Sequence, residues 1–173
     1  MKVSNQLNFI VSLCALFVST QYVNAQSSPV DKGGMMVNAG LGLSNWGIPV
    51  YGSLDYGVHE NITVGGQADF RSYTERRGGV RYGHQILCFS GNVNFHFNAL
   101  LELPEEINLY GGANAGFYVW NSPSGYSGSR ASGLGIGLQL GGRYFFKERW
   151  AANLEFGGTQ AFGSGKIGIT YLL

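Results

Sequence analysis

The chain has 173 residues, with 28 glycines, 14% aromatic residues and only 12% charged residues, where soluble domains carry about 25% charge. Eleven basic residues face ten acidic ones, which argues against a nucleic-acid partner, since that would call for a basic patch or stripe. Mean hydropathy near zero excludes a bundle of membrane helices, each of which needs about 20 consecutive apolar residues.

Residues 1–25 read as a secretory signal peptide. Lys2 precedes an apolar run from Phe9 to Val18, and Val23, Asn24 and Ala25 form a small-residue cleavage site before Gln26. The run is too short for a membrane anchor. Leu13 before Cys14 does not suit a lipoprotein cleavage site. Cleavage would remove Lys2 and Cys14, leaving balanced charge and a single thiol, Cys88, with no internal disulfide.

A short polar periplasmic leader is expected over residues 26–34, and residues 35–173 then alternate by twos in eight segments. The first sets Met35, Val37, Ala39, Leu41 and Leu43 against Asn38, Gly40, Gly42 and Ser44. The second sets Val50, Leu54, Tyr56 and Val58 against Tyr51, Ser53 and Asp55. In the third, Ile62, Val64, Gly66, Ala68 and Phe70 oppose Thr63, Gly65, Gln67, Asp69 and Arg71. The fourth places Leu87, Phe89, Val93, Phe95 and Phe97 opposite Cys88, Ser90, Asn92, Asn94 and His96. The same pattern recurs over Ile107 to Val119, Leu134 to Phe146, Trp150 to Thr159 and Lys166 to Leu173.

Segments of roughly ten residues with strict alternation, in an exported chain, are the mark of a transmembrane β-barrel. A soluble sandwich also alternates. Its solvated face would be rich in Lys and Glu, whereas these polar faces are Gly, Ser, Asn and Thr, suited to a narrow lumen. The expectation is an all-β fold, an eight-stranded antiparallel up-and-down transmembrane β-barrel. The connections at His59–Asn61, Ala99–Glu105 and Lys147–Arg149 read as inner turns; Thr74–Gly83 and Asn121–Ser132 read as longer outer loops. Tyr56, Phe95, Phe97, Tyr144, Phe146, Trp150 and Tyr171 cluster near the inner turns, as an interfacial aromatic girdle would.

The C-terminal stretch KIGITYLL, through Lys166, Gly168, Tyr171 and Leu173, resembles the assembly signal of bacterial outer-membrane barrels, with Leu in place of the usual terminal Phe. The stretches YGVHENITVGG, LPEEINLYGGANAGF and GGRYFFKERWAANLEFG are similar to those of a small outer-membrane β-barrel family common in Bacteroidota. The general shape is that of the eight-stranded OmpA and OmpX type barrels. The resemblance implies residence in the cell outer membrane, handling by the barrel-assembly machinery, and contact with outer-membrane lipid and lipopolysaccharide.

Six charged residues take the inward face: Asp55, Asp69, Glu155, Arg71, Arg143 and Lys166. Unpaired buried charge is costly, so this balance predicts a paired network that plugs the lumen; the alternative is a small gated pore. Arg76, Arg77 and Arg81 fall in one expected outer loop, where guanidinium groups suit the phosphates of lipopolysaccharide. His84, with Ser72 or Ser90 and Glu75, could in principle serve a lipid A-modifying enzyme. No motif supports that reading, and a structural or surface-contact protein without catalysis is expected. The three histidines lack metal-ligand spacing, and the sequence calls for neither metal nor cofactor.

Overall fold

The computed structural model describes residues 29–44, 46–126, 128, 132–158 and 165–173; the expected signal peptide lies outside them. Among these residues eight strands form one closed antiparallel barrel in sequence order: β1 (Met35–Leu43), β2 (Val50–His59), β3 (Ile62–Arg77), β4 (Val80–His96), β5 (Ile107–Asn121), β6 (Gly133–Lys147), β7 (Trp150–Gly158) and β8 (Gly165–Leu172). β8 closes on β1, with Asn38 opposite Thr170 and Gly40 opposite Gly168.

The alternation read from the sequence is the alternation of burial. In β2, Tyr51 and Asp55 are buried while Val50, Leu54 and Tyr56 are exposed. In β6, Leu134 is 86% exposed and Ile136 83%, whereas Arg143 on the same strand is 4% exposed. A protein stable in water buries the former and solvates the latter. This barrel does the reverse.

Turn chemistry agrees with the local sequence. Two-residue connections follow His59 and Lys147, and each is accompanied by a register shift, between Gly57 and His59 and between Phe145 and Lys147. A four-residue helix, α1 (Asn98–Leu101), bridges β4 and β5, and Glu102 ends it in the left-handed region at φ 49°. Asn98 holds the bridge in place by donating its amide to the Ile107 carbonyl at 2.7 Å.

One expectation is corrected. Thr74–Gly83 is not a loop, because β3 runs to Arg77 and β4 starts at Val80, with Arg76 directly opposite Arg81. Gly78 and Gly79, at φ 58° and 83°, supply the positive φ that a tight two-residue hairpin turn demands. At 16 and 17 residues, β3 and β4 exceed the roughly 9–11 that cross a bilayer. Their upper halves therefore rise beyond the apolar belt.

The leader is also more than a tether. The Gly33 amide donates to the Gly57 carbonyl at 2.8 Å, and the Gly57 amide donates to the Gly34 carbonyl at 3.0 Å. Val30 is 2% exposed, so this segment is packed against the inner end of the barrel beside β2.

Candidate functional site: a charged lumen and an aromatic mouth

All six inward charges predicted from alternation point into the barrel, and they sort into three ion pairs. Asp69 meets Arg71 at 3.2 Å, Asp55 meets Arg143 at 3.3 Å, and Glu155 meets Lys166 at 2.6 Å. The first pair lies within one strand, because residues two apart in β3 share a face. The third joins register partners on β7 and β8. The second spans the barrel from β2 to β6.

Neutral side chains hold these charges in place. Asn38 donates to Asp55 at 2.9 Å and to Ser53 at 3.0 Å, and its own carbonyl accepts from Thr170 at 2.7 Å. Arg143 donates to Asn108 at 2.9 Å and lies 4.1 Å from the centre of the Tyr110 ring. Tyr110 donates to Glu155 at 2.8 Å, Lys166 to Gln67 at 2.7 Å, and Tyr51 to Asn153 at 2.8 Å. Between these groups remains a void of about 10 Å³, the room that one water needs.

Two bulky rings enter this narrow space beside residues that have no side chain. Tyr110 pairs with Gly141 and Tyr51 with Gly40. A methyl group on Gly141 would overlap the Tyr110 ring. Gly141 is thus a seat for Tyr110, and Gly168 for the Tyr51 hydroxyl, a steric reason for glycine on a polar strand face.

Toward the inner end, His96 is fully buried between Thr63 and Asn108, at 3.1 and 2.9 Å. Asn108 can only donate its amide to Nδ1, so the ring proton belongs on Nε2, facing the Thr63 oxygen. This histidine is a satisfied network member.

At the opposite end the lumen changes character. Ile86 and Cys88 form a small core against which Trp46, Tyr73, Tyr118 and Trp120 pack. Trp46 and Trp120 meet edge to face at 5.2 Å, and the fully buried His84 stacks on Tyr73 at 4.9 Å and meets the Tyr126 edge at 4.6 Å. Arg71 donates to the Cys88 sulfur at 3.6 Å, linking the charged and aromatic layers.

The structure brings His84 near Glu75, at 3.8 Å, but neither Ser72 nor Ser90 is its serine. That partner is Ser122, whose hydroxyl lies 2.9 Å from His84 Nδ1, while Tyr126 donates to Glu75 at 3.1 Å. Ser72 faces outward opposite Gln85, and Ser90 sits deeper, opposite Gln67. Continued alternation through Tyr118, Trp120 and Ser122 would have exposed the true neighbour. Chemically the arrangement is incomplete. The His84–Glu75 separation exceeds a hydrogen bond. The arrangement ties the segment after β5 down over the mouth.

Fold and site together define an inside-out closed barrel, charged within and aliphatic without. The structure is similar to the outer membrane protein OprG from Pseudomonas aeruginosa, with a TM-score of 0.62 and 12% identity over 84% of this chain and 99% of that one. The N-terminal β-barrel domain of Pseudomonas aeruginosa OprF gives a TM-score of 0.46 at 15% identity, covering 83% and 98%. Ail, the attachment invasion locus protein of Yersinia pestis, gives 0.42 at 15% identity, covering 80% and 93%. At 12% identity the likeness to OprG is one of fold. No family model matches the chain and no curated protein matches it, so the Bacteroidota-type resemblance stands on its sequence motifs alone.

Proposed function

We propose that this chain is an integral outer-membrane barrel with a plugged lumen, which works at its outer face in a structural or surface-contact role without catalysis. The observation that carries this reading is the inverted burial: Leu134, Ile136 and Leu138 are at least 76% exposed while Asp55, Asp69, Arg71 and Arg143 are at most 4% exposed. An apolar belt of that extent suits hydrocarbon, where a closed barrel leaves no backbone group unpaired. The signal-like sequence of residues 1–25 and the C-terminal Lys166, Gly168, Tyr171 and Leu173 support export and recognition by the barrel-assembly machinery. Three internal ion pairs and a void of about 10 Å³ support the plug.

Two measurements test the reading. Detergent-folded protein should migrate faster unheated than boiled on a gel, and cell fractionation should place it with the outer membrane. Heat-independent migration, or recovery in a soluble fraction, would sink it. The Ser122–His84–Glu75 contacts favour a second reading, a lipid-modifying enzyme. Mass spectrometry of lipid A from cells with and without the gene separates the two, and under the first reading the spectra coincide.

A further inference from the structure

The upper half of the β3–β4 hairpin has two different faces. Ser72, Thr74 and Arg76 continue the outward row of Phe70, and their partners across the hairpin are Gln85, Gly83 and Arg81. Tyr73, Glu75 and Arg77 take the other face, where Glu75 already engages Tyr126 and His84. The three arginines that are neighbours in sequence are thus divided by parity. Arg76 and Arg81 look sideways from the barrel, and Arg77 does not.

Arg76 and Arg81 are direct cross-strand partners, and both are exposed. Like charges placed opposite one another destabilise a hairpin. Among the described residues no carboxylate is paired with either guanidinium, and the adjacent acid, Glu75, lies on the opposite face. Partner side chains leave their strands about 5 Å apart, a spacing at which two guanidinium groups can grip one phosphate.

Height and access fit the same ligand. Phe70 and Leu87 are the last apolar pair of the outward row. Six residues further, at about 3.3 Å each on a strand tilted by about 45°, Arg76 stands roughly 14 Å above that pair. That is clear of acyl chains and level with the sugars of a surrounding glycolipid. Below the arginines, Gly83 opens a gap in the wall, where an added methyl would meet nothing within 4 Å. The Ser72 and Thr74 hydroxyls and the Gln85 amide border that gap with groups suited to sugar hydroxyls.

We propose that Arg76 and Arg81 form a lateral clamp for a phosphate of the glycolipid surrounding the barrel in the outer leaflet, and that Arg77 is not part of it. The clamp rests on the outer-membrane reading above. Both guanidinium groups would meet the phosphate oxygens by charge-assisted, bidentate hydrogen bonds. Removing them eliminates the specific part of the contact and leaves the apolar contact with acyl chains intact.

The test titrates detergent-folded protein with bisphosphorylated lipid A, with its dephosphorylated form and with inorganic pyrophosphate. Gel migration confirms the fold of each variant. The double variant Arg76→Gln with Arg81→Gln should bind bisphosphorylated lipid A about tenfold more weakly. Arg77→Gln should stay within about twofold of wild type. The dephosphorylated lipid should not distinguish wild type from the double variant. Equal binding of bisphosphorylated lipid A by wild type and the double variant, or an equal loss in Arg77→Gln, overturns the clamp. Pyrophosphate binding as tight as lipid A overturns the glycolipid as its ligand. Fractionation is read separately: a protein absent from the outer membrane refutes the location, whereas a resident protein with an indifferent double variant refutes the clamp alone.

Discussion

Arg143 reaches Asp55 at 3.3 Å across the full width of the barrel, from β6 to β2, which stand four strands apart whichever way the wall is followed. Each partner is anchored on its own side, Asp55 by Asn38 and Arg143 by Asn108. The pair therefore braces opposite walls.

Arg143→Ala strands a buried carboxylate and should destabilise the folded barrel by about 3–5 kcal/mol. Urea unfolding in lipid vesicles, followed by tryptophan fluorescence, measures the loss. Adding Asp55→Asn to Arg143→Met should recover most of it, because the cost lies in the unpaired charge. A single variant as stable as wild type would show the brace to be idle.

With so little space between the ion pairs, the purified protein should pass no steady current in planar bilayers. Replacing Tyr51 and Tyr110 together by Ala removes the two rings that fill the charged layer, and conductance should then appear. Large stable steps from the wild-type protein would rule out the plug.

Gly141→Ala sets a methyl against the Tyr110 ring and should cost about 1–3 kcal/mol through forced displacement. The Tyr110–Glu155 hydrogen bond would be lost with it. Gly141→Ala combined with Tyr110→Leu should be less damaging than the two separate losses added together, in the same unfolding assay.

Cys88 is fully buried beneath the aromatic mouth, with its sulfur accepting from Arg71. Maleimide should leave the folded mature protein unlabelled and modify one thiol after denaturation. Rapid labelling of the native state would mean that the mouth is open.

Ser122→Ala should change neither lipid A nor reactivity toward a fluorophosphonate probe, because at 3.8 Å Glu75 does not hydrogen-bond His84 to orient it as a base. The same substitution should increase protease cleavage after β5, since the Ser122–His84 contact is a tether. Specific fluorophosphonate labelling that disappears in Ser122→Ala would instead establish an activated nucleophile.

Much of this was legible from a single periodicity. Alternation by twos is a property of the strand, so it assigned Asp55, Asp69, Arg71, Arg143, Glu155 and Lys166 to the interior without any knowledge of neighbours. It failed above the apolar belt. There both faces of the β3–β4 hairpin are polar, the apolar marker vanishes, and residues 74–77 and 80–83 resemble a loop although they are paired strand. Ser122 escaped notice for a related reason. It lies one residue past the end of β5, where the alternation was no longer followed.

Wherever an apolar row marks a strand, parity settles which side of the wall each residue faces, because that depends only on backbone geometry. Which side chains meet is a matter of closure and register. Whether Asp55 finds Arg143 or Lys166 depends on barrel closure and strand register, which set the height of every side chain. The same register placed Arg76 opposite Arg81, while strand parity alone sets Arg77 on the other face.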